Sequence, residues 1–158
     1  SLFIKMKEMK LKFKNEPIKL GEKKVAPMLK SASPADAMVA SCVTELMNAA
    51  TSFHKLHLKV TGPGSYAAHK ALQGYEKFHD FADDIAEQYQ GATQTILKYQ
   101  EPSSRILENI DDAIWYLKDL KDMITKLQES LSFSEIVNEL DTLKSHINSM
   151  LYKLKFLS

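Results

Sequence analysis

The sequence predicts an all-α protein, a four-helix bundle over residues 33–158 behind an extended basic arm over residues 1–32. Three observations predict it. The chain holds only five Gly and five Pro in 158 residues, bunched in a few places, so long stretches lack both helix breakers. Four of those stretches repeat apolar residues at the 3.6-residue spacing of an amphipathic helix. No stretch beyond the arm alternates convincingly in the two-residue period of a strand. Four such helices, each of about 23 to 27 residues, are matched in length and can bury their apolar faces against one another.

The first helix opens at Ser33-Pro34, a capping residue followed by a proline whose missing N–H is harmless in the first turn. Its apolar face is Met38, Val39, Cys42, Val43, Leu46, Ala49, Ala50, Phe53 and Val60, and Gly62-Pro63-Gly64 ends it. Ser65 is the expected cap of the second helix, with Ala68, Leu72, Tyr75, Phe78, Ala82, Ile85 and Tyr89 as its stripe and Gly91 as its stop. The connector "ATQTILKYQEPSS" has room for a short helical turn. Ser103 or Ser104 is expected to start the third helix, which carries Ile106, Ile110, Ala113, Ile114, Leu117, Leu120, Ile124 and Leu127. "SFSE", from Ser132 to Glu135, reads as a capping box before a fourth helix with Ile136, Val137, Leu140, Leu143, Ile147, Met150, Leu151 and Leu154.

At 44% hydrophobic and 26% charged, the composition is that of a single globular domain. No run approaches the ~20 apolar residues of a membrane span. The opening "SLFIKMKEMKLKFK" threads lysines through its apolar residues, unlike the core of a signal peptide. Cys42 stands alone and can form no internal disulfide, so a reduced, cytoplasmic setting is expected. Charge is uneven: residues 1–30 hold nine Lys against three Glu, whereas the whole chain carries only +1. This is a basic arm on an acidic body. Gly-rich phosphate loops, a Ser-His-Asp arrangement and zinc-finger cysteine spacing are all missing, which argues against hydrolase and nucleotide-binding readings.

His57 and His69 lie twelve residues apart around the Gly-Pro-Gly break. On an ideal second helix, at about 100° per residue, Glu76, Asp83 and Glu87 fall in line with His69 beside the apolar stripe. A solvated helix face produces such a line, and so does a cation site. Imidazole with carboxylate suits Fe, Zn or Mn. Glu76 and His79 form the Glu-x-x-His used by two-metal bundles. The fourth helix lacks a second copy, because Leu143 stands three residues before His146.

The stretch "LHLKVTGPGSYAAHKAL…YEKFHDFADDIAEQ" resembles the signature of Dps, the starvation-induced DNA-binding miniferritins of the ferritin-like superfamily. The likeness covers about residues 50–91, and His57, Gly62, His69, Asp83 and Glu87 sit on the motif positions. It implies a ferritin-like four-helix bundle in which His57 and His69 of one chain bind iron with Asp83 and Glu87 of the partner subunit. Zn or Mn would be the substitutes. It further implies a possible ferroxidase that oxidises Fe(II), in a homo-oligomer that is at least a dimer and, if Dps-like, a dodecamer. Lysine-rich arms bind DNA in many members. The pieces "AHKAL" and "AEQYQG" resemble Dps-related proteins of tailed phages, which implies a bacterial host cytoplasm or a virion.

The chain also departs from that pattern. Leu58 and Lys59 stand where Trp and Asn are usual, and Gln73 where a carboxylate is common. The interval from His69 to Asp83 is one residue short, and a gapless alignment selects Asp84 instead, leaving Gln88 at the Glu position. The alternative reading is a non-catalytic ferritin-like structural or DNA- or protein-binding module. In either case Lys5, Lys7, Lys10, Lys12 and Lys14 would contact phosphates without sequence preference. The apolar residues between them fit docking on a protein equally well. His54 reads as a surface residue or an auxiliary ligand, His146 has no evident partner, and Cys42 reads as a buried inert thiol.

Overall fold

The computed structural model describes residues 33–158, and every regular element among them is helical. The basic arm, with Lys5, Lys7, Lys10, Lys12 and Lys14, lies outside the described residues. In chain order the helices are α1 (Pro34–Lys59), α2 (Ser65–Leu72), α3 (Glu76–Thr93), α4 (Ile110–Ser130) and α5 (Ser134–Phe156). A 3-10 turn, Gln73–Tyr75, joins α2 to α3, so the two form one interrupted helical run. No described helix is long and apolar enough to cross a membrane.

Side-chain contacts give the helix directions. Tyr89, near the end of α3, donates its hydroxyl to Asp36 at the start of α1 over 2.6 Å, so the α2–α3 run returns antiparallel to α1. Ala37 and Met38 of α1 line one groove with Met123 and Leu127 of α4, so α4 also runs antiparallel to α1. Phe133, just before α5, meets Tyr89 edge-on with ring centroids 6.2 Å apart, so α5 starts where α3 ends and runs antiparallel to it. Two successive segments, α3 and α4, therefore point the same way. The connector between them must travel the length of the molecule.

One continuous core fills the space between the helices. Phe53 of α1 lies at its centre, stacked on Tyr116 of α4 at 5.3 Å and against Phe78 of α3 at 5.7 Å. Phe53, Phe78, Leu117, Ile124, Ile136 and Leu140 are all fully buried, each stabilising the fold by about 1.5–3 kcal/mol relative to exposure. Cys42 is buried as expected, and burial pushes its thiol up to about 12, which keeps it protonated and inert.

The start of α1 matches the sequence reading and adds to it. Ser33 Oγ accepts from the Asp36 N–H, and the Asp36 carboxylate accepts from the Ser33 N–H, both at 3.1 Å. These bonds close a capping box. Other boundaries differ. Ser65 is the first residue of α2 and not its cap; the capping position is Gly64, in the left-handed region at φ 77°. Gly91 lies inside α3, which ends at Thr93 and is capped by Gln94, left-handed at φ 54°. Ser132 makes no cap: α5 begins after Phe133, without a side-chain bond at that position.

The largest difference is the start of α4. Ser103 and Ser104 do not begin a helix, because the backbone N–H groups of Ser103 and Arg105 are already committed to α1. The first donates to Asn48 Oδ1 at 2.6 Å and the second to Ser52 Oγ at 2.8 Å. Lys55 Nζ reaches Ser104 Oγ at 3.3 Å, and Lys59 Nζ reaches the Leu107 carbonyl at 2.8 Å. The partners on α1 advance from Asn48 to Lys59 as the connector advances from Ser103 to Leu107, so the connector runs parallel to α1. Only past Leu107 does α4 begin, capped by Asn109, whose side chain accepts from the Asp112 N–H at 2.9 Å.

Candidate metal centre

The Gly62-Pro63-Gly64 turn sets the site. Gly62 and Gly64 both adopt positive φ, 93° and 77°, a region open to glycine at little cost. Ser65 N–H and Oγ both donate back to the Gly62 carbonyl, at 3.1 and 2.5 Å, tightening the turn. The last turn of α1 is thereby laid against α2, and His57 meets His69.

The two rings stack, with centroids 3.7 Å apart and planes 23° from parallel. Each bonds the other's backbone: His57 Nδ1 to the His69 carbonyl at 2.8 Å, and His69 Nδ1 to the His57 carbonyl at 3.0 Å. A carbonyl only accepts, so each Nδ1 carries a proton, and in the neutral form of either ring Nε2 is the lone-pair nitrogen. Metal-binding histidines are oriented in this way, with the remote nitrogen donating to a carbonyl. Neither Nε2 has a hydrogen-bond partner among the described residues. His57 is buried as a residue, yet no buried side-chain nitrogen or oxygen there is left unpaired, so its Nε2 must reach the surface. The same bonds also serve structure, because the His57 carbonyl lies in the last turn of α1, where helix carbonyls run out of backbone donors.

Tyr75 and His54 complete the cluster. Tyr75, in the 3-10 turn, stacks on exposed His54 at 4.2 Å and meets the edge of His57 at 5.5 Å. Tyr75 belongs to the apolar stripe expected of the second helix, and its half-buried ring packs against both the core and His54. His146 does have a partner. Its Nε2 donates to the Gly74 carbonyl at 2.8 Å, and burial leads in lowering its pKa, Lys77 and Lys153 adding to the effect.

The expected polar line is broken. An ideal helix aligns His69 with Glu76, Asp83 and Glu87, but the three residues of the 3-10 turn wind about 120° each, not 100°. The extra roughly 60° rolls His69 toward α1, while Glu76, Asp83 and Glu87 stay on the exposed outer face of α3. Asp83 and Glu87 also lie roughly 20–27 Å from His69 along the helical run at 1.5 Å per residue. One chain therefore joins the two histidines to each other and joins neither to these carboxylates. Asp84 has a different surrounding from Asp83: it faces Glu139 of α5, whose carboxyl is raised first by burial and then by Asp84. Among the described residues, no group of three or more His, Cys, Asp or Glu could hold a metal ion. His57 and His69 would supply two ligands, and no third His, Cys, Asp or Glu among the described residues joins them in a group that could hold a metal ion.

The geometry defines an all-α protein whose first helical hairpin closes on a reciprocal histidine pair. This chain belongs to the family described as "Family of unknown function (DUF5856)", which it matches over residues 57–154, more than half of its length. The match takes in both histidines, the α3 carboxylates and the long connector. No curated protein and no solved structure matches the chain.

Proposed function

We propose that this protein is a ferritin-like four-helix bundle that binds iron, or Zn or Mn in its place, between two copies of the chain. His57 and His69 of one copy and Asp83 and Glu87 of the other would be the ligands, and oxidation of Fe(II) would be the activity. The single observation that carries the reading is the reciprocal His57–His69 bonding, which leaves two imidazole lone pairs beside each other at the end of α1. The helix order supports the bundle. Ferritin-like folds have one long crossover between parallel second and third helices, and the connector along α1 has that form.

The fit is of donor chemistry. Two imidazoles with two carboxylates suit a borderline divalent transition metal and do not suit Ca. Asp83 is preferred to Asp84 because Asp84, which is also exposed, faces Glu139 of its own chain. Iron bound there would supply redox chemistry toward an oxidant. The chain's own part is to hold both Nδ1 protons on carbonyls, so that Nε2 faces the ion. The basic arm, through Lys5, Lys7, Lys10, Lys12 and Lys14, would add DNA binding that weakens steeply with salt.

A second reading has its own observation. Because the His69 Nδ1 bond satisfies the His57 carbonyl at the end of α1, the pair can be a structural clasp in a non-catalytic module. Anaerobic Fe(II) titration followed by oxidation in air separates the two, run on wild type and on the His57→Ala/His69→Ala double variant, with particle mass measured alongside. Saturable oxidation lost in the double variant, in a particle of two or more chains, is the expected result. Wild-type oxidation no faster than the buffer control would retire the iron reading and leave the clasp.

A further inference from the structure

We infer that His146, on α5, is a positioning residue for the His57–His69 pair: with Met150 it holds the 3-10 turn whose winding aims His69 at His57. The inference rests on the metal reading for its consequence, but the coupling itself is a property of the metal-free chain. His146 and Met150 are four residues apart on α5 and grip Gly74 from two sides. His146 Nε2 donates to the Gly74 carbonyl at 2.8 Å. Met150 lies so close to Gly74 that an added Cβ there would meet its Sδ at 2.6 Å and its Cγ at 2.8 Å. The His146 ring is itself held edge-on to Phe78 at 5.7 Å and tilted against Phe81 at 6.0 Å, one turn and two turns beyond the grip.

The gripped turn decides where the site residues point. Its roughly 60° of extra winding has two effects. It brings the buried stripe of α2, Ala68, Ala71 and Leu72, into line with that of α3, beginning at Phe78. It also moves His69 from the outer face of the run to the side facing α1, where the His57 carbonyl is within reach. Tyr75, the last residue of the turn, is set by the same winding against His54 and His57. Were the run to relax to continuous α-helix, His69 would swing outward into line with Glu76 and its ring would leave His57. The grip on α5 touches neither histidine, so its effect on them must pass through the turn.

The test is nitrogen NMR of the uniformly labelled, metal-free protein, reading which ring nitrogen of His57 and His69 carries the proton, followed by Co(II) titration. Wild type is expected to show both rings protonated at Nδ1. His146→Gln, which keeps a donor for the Gly74 carbonyl, should retain that pattern. His146→Leu, matched in bulk but without a donor, should lose it at His69 and bind Co(II) about tenfold more weakly, the scale of losing an outer hydrogen-bond partner. Gly74→Ala, which drives Met150 off the turn, should do the same and carries the test should the leucine variant not fold. Unchanged ring tautomers and unchanged Co(II) affinity in a folded His146→Leu or Gly74→Ala chain would overturn the inference. Wild type with the expected tautomers and no Co(II) binding would overturn the metal reading alone, and the variants' tautomers would still decide the coupling.

Discussion

The chain passes from one long helical run to the next by two connectors that work in opposite ways. Between α1 and α2 it turns within five residues, Val60 to Gly64, using two left-handed glycines and almost no help from elsewhere. Between α3 and α4 it takes sixteen residues, 94–109, and their course is dictated by side chains of α1. Glu45 is the anchor. It accepts from Tyr116 Oη at 2.6 Å and from Arg105 Nε at 3.1 Å on one oxygen, and from Asn48 Nδ2 at 3.2 Å on the other. The Arg105 guanidinium in turn lies 4.6 Å over the Tyr116 ring, and burial followed by the Glu45 contact holds the Tyr116 hydroxyl far above its ordinary pKa. A turn made by backbone preference is local; a connector made by partners 48 to 60 residues away exists only once the helices have assembled.

The comparison predicts unequal responses. Glu45→Ala should be the largest, about 2 kcal/mol, because it leaves Tyr116 Oη and Asn48 Nδ2 without their acceptor, while the half-exposed Arg105 adds little. Chemical denaturation would give the loss, and amide exchange should quicken at Ser103 and Arg105 well before the core. Protected connector amides in that variant would show that the ladder from Asn48 to Lys59 suffices. Gly62→Ala should cost about 1 kcal/mol, all of it conformational, since φ is 93° and nothing lies within 4 Å of the new methyl. Its exchange pattern should change only around the turn.

The smallest effect concerns pH and the grip on the 3-10 turn. The His146 pKa is lowered below 6.5 in the fold, by burial first, so the unfolded chain takes up its proton before the folded one does. The stability this contributes is complete above pH 6.5 and is lost as pH falls from there through the lower folded value. A denaturation series from pH 8 to 5 should show wild type weakening below about 6.5, with a shallower fall in His146→Gln. Equal slopes would mean that other groups govern the acid limb.

Residues whose instructions are local were readable from the sequence. Ser33-Pro34 starts α1 because a cap and a proline act within one turn, and the Gly-Pro-Gly break ends the hairpin because two φ values demand glycine. Spacing alone left open whether His57 and His69 meet; the glycine turn and the reciprocal bonds to carbonyls bring them together in the structure. The Ser103 start failed because Asn48 and Ser52 of α1, far back along the chain, take the backbone N–H groups of Ser103 and Arg105. The polar line from His69 to Glu87 failed because it assumed 100° at every step, and one glycine pressed by Met150 changes three steps.

What the sequence by itself determined is the all-helical class and the apolar faces that make the core, since period and caps are properties of neighbouring residues. Only the tertiary structure decided the path of the long connector and the winding at Gly74. Each of those depends on a group far along the chain, Glu45 or Asn48 for the first and His146 with Met150 for the second. Such groups compete with the local backbone only after burial has brought them within hydrogen-bonding distance.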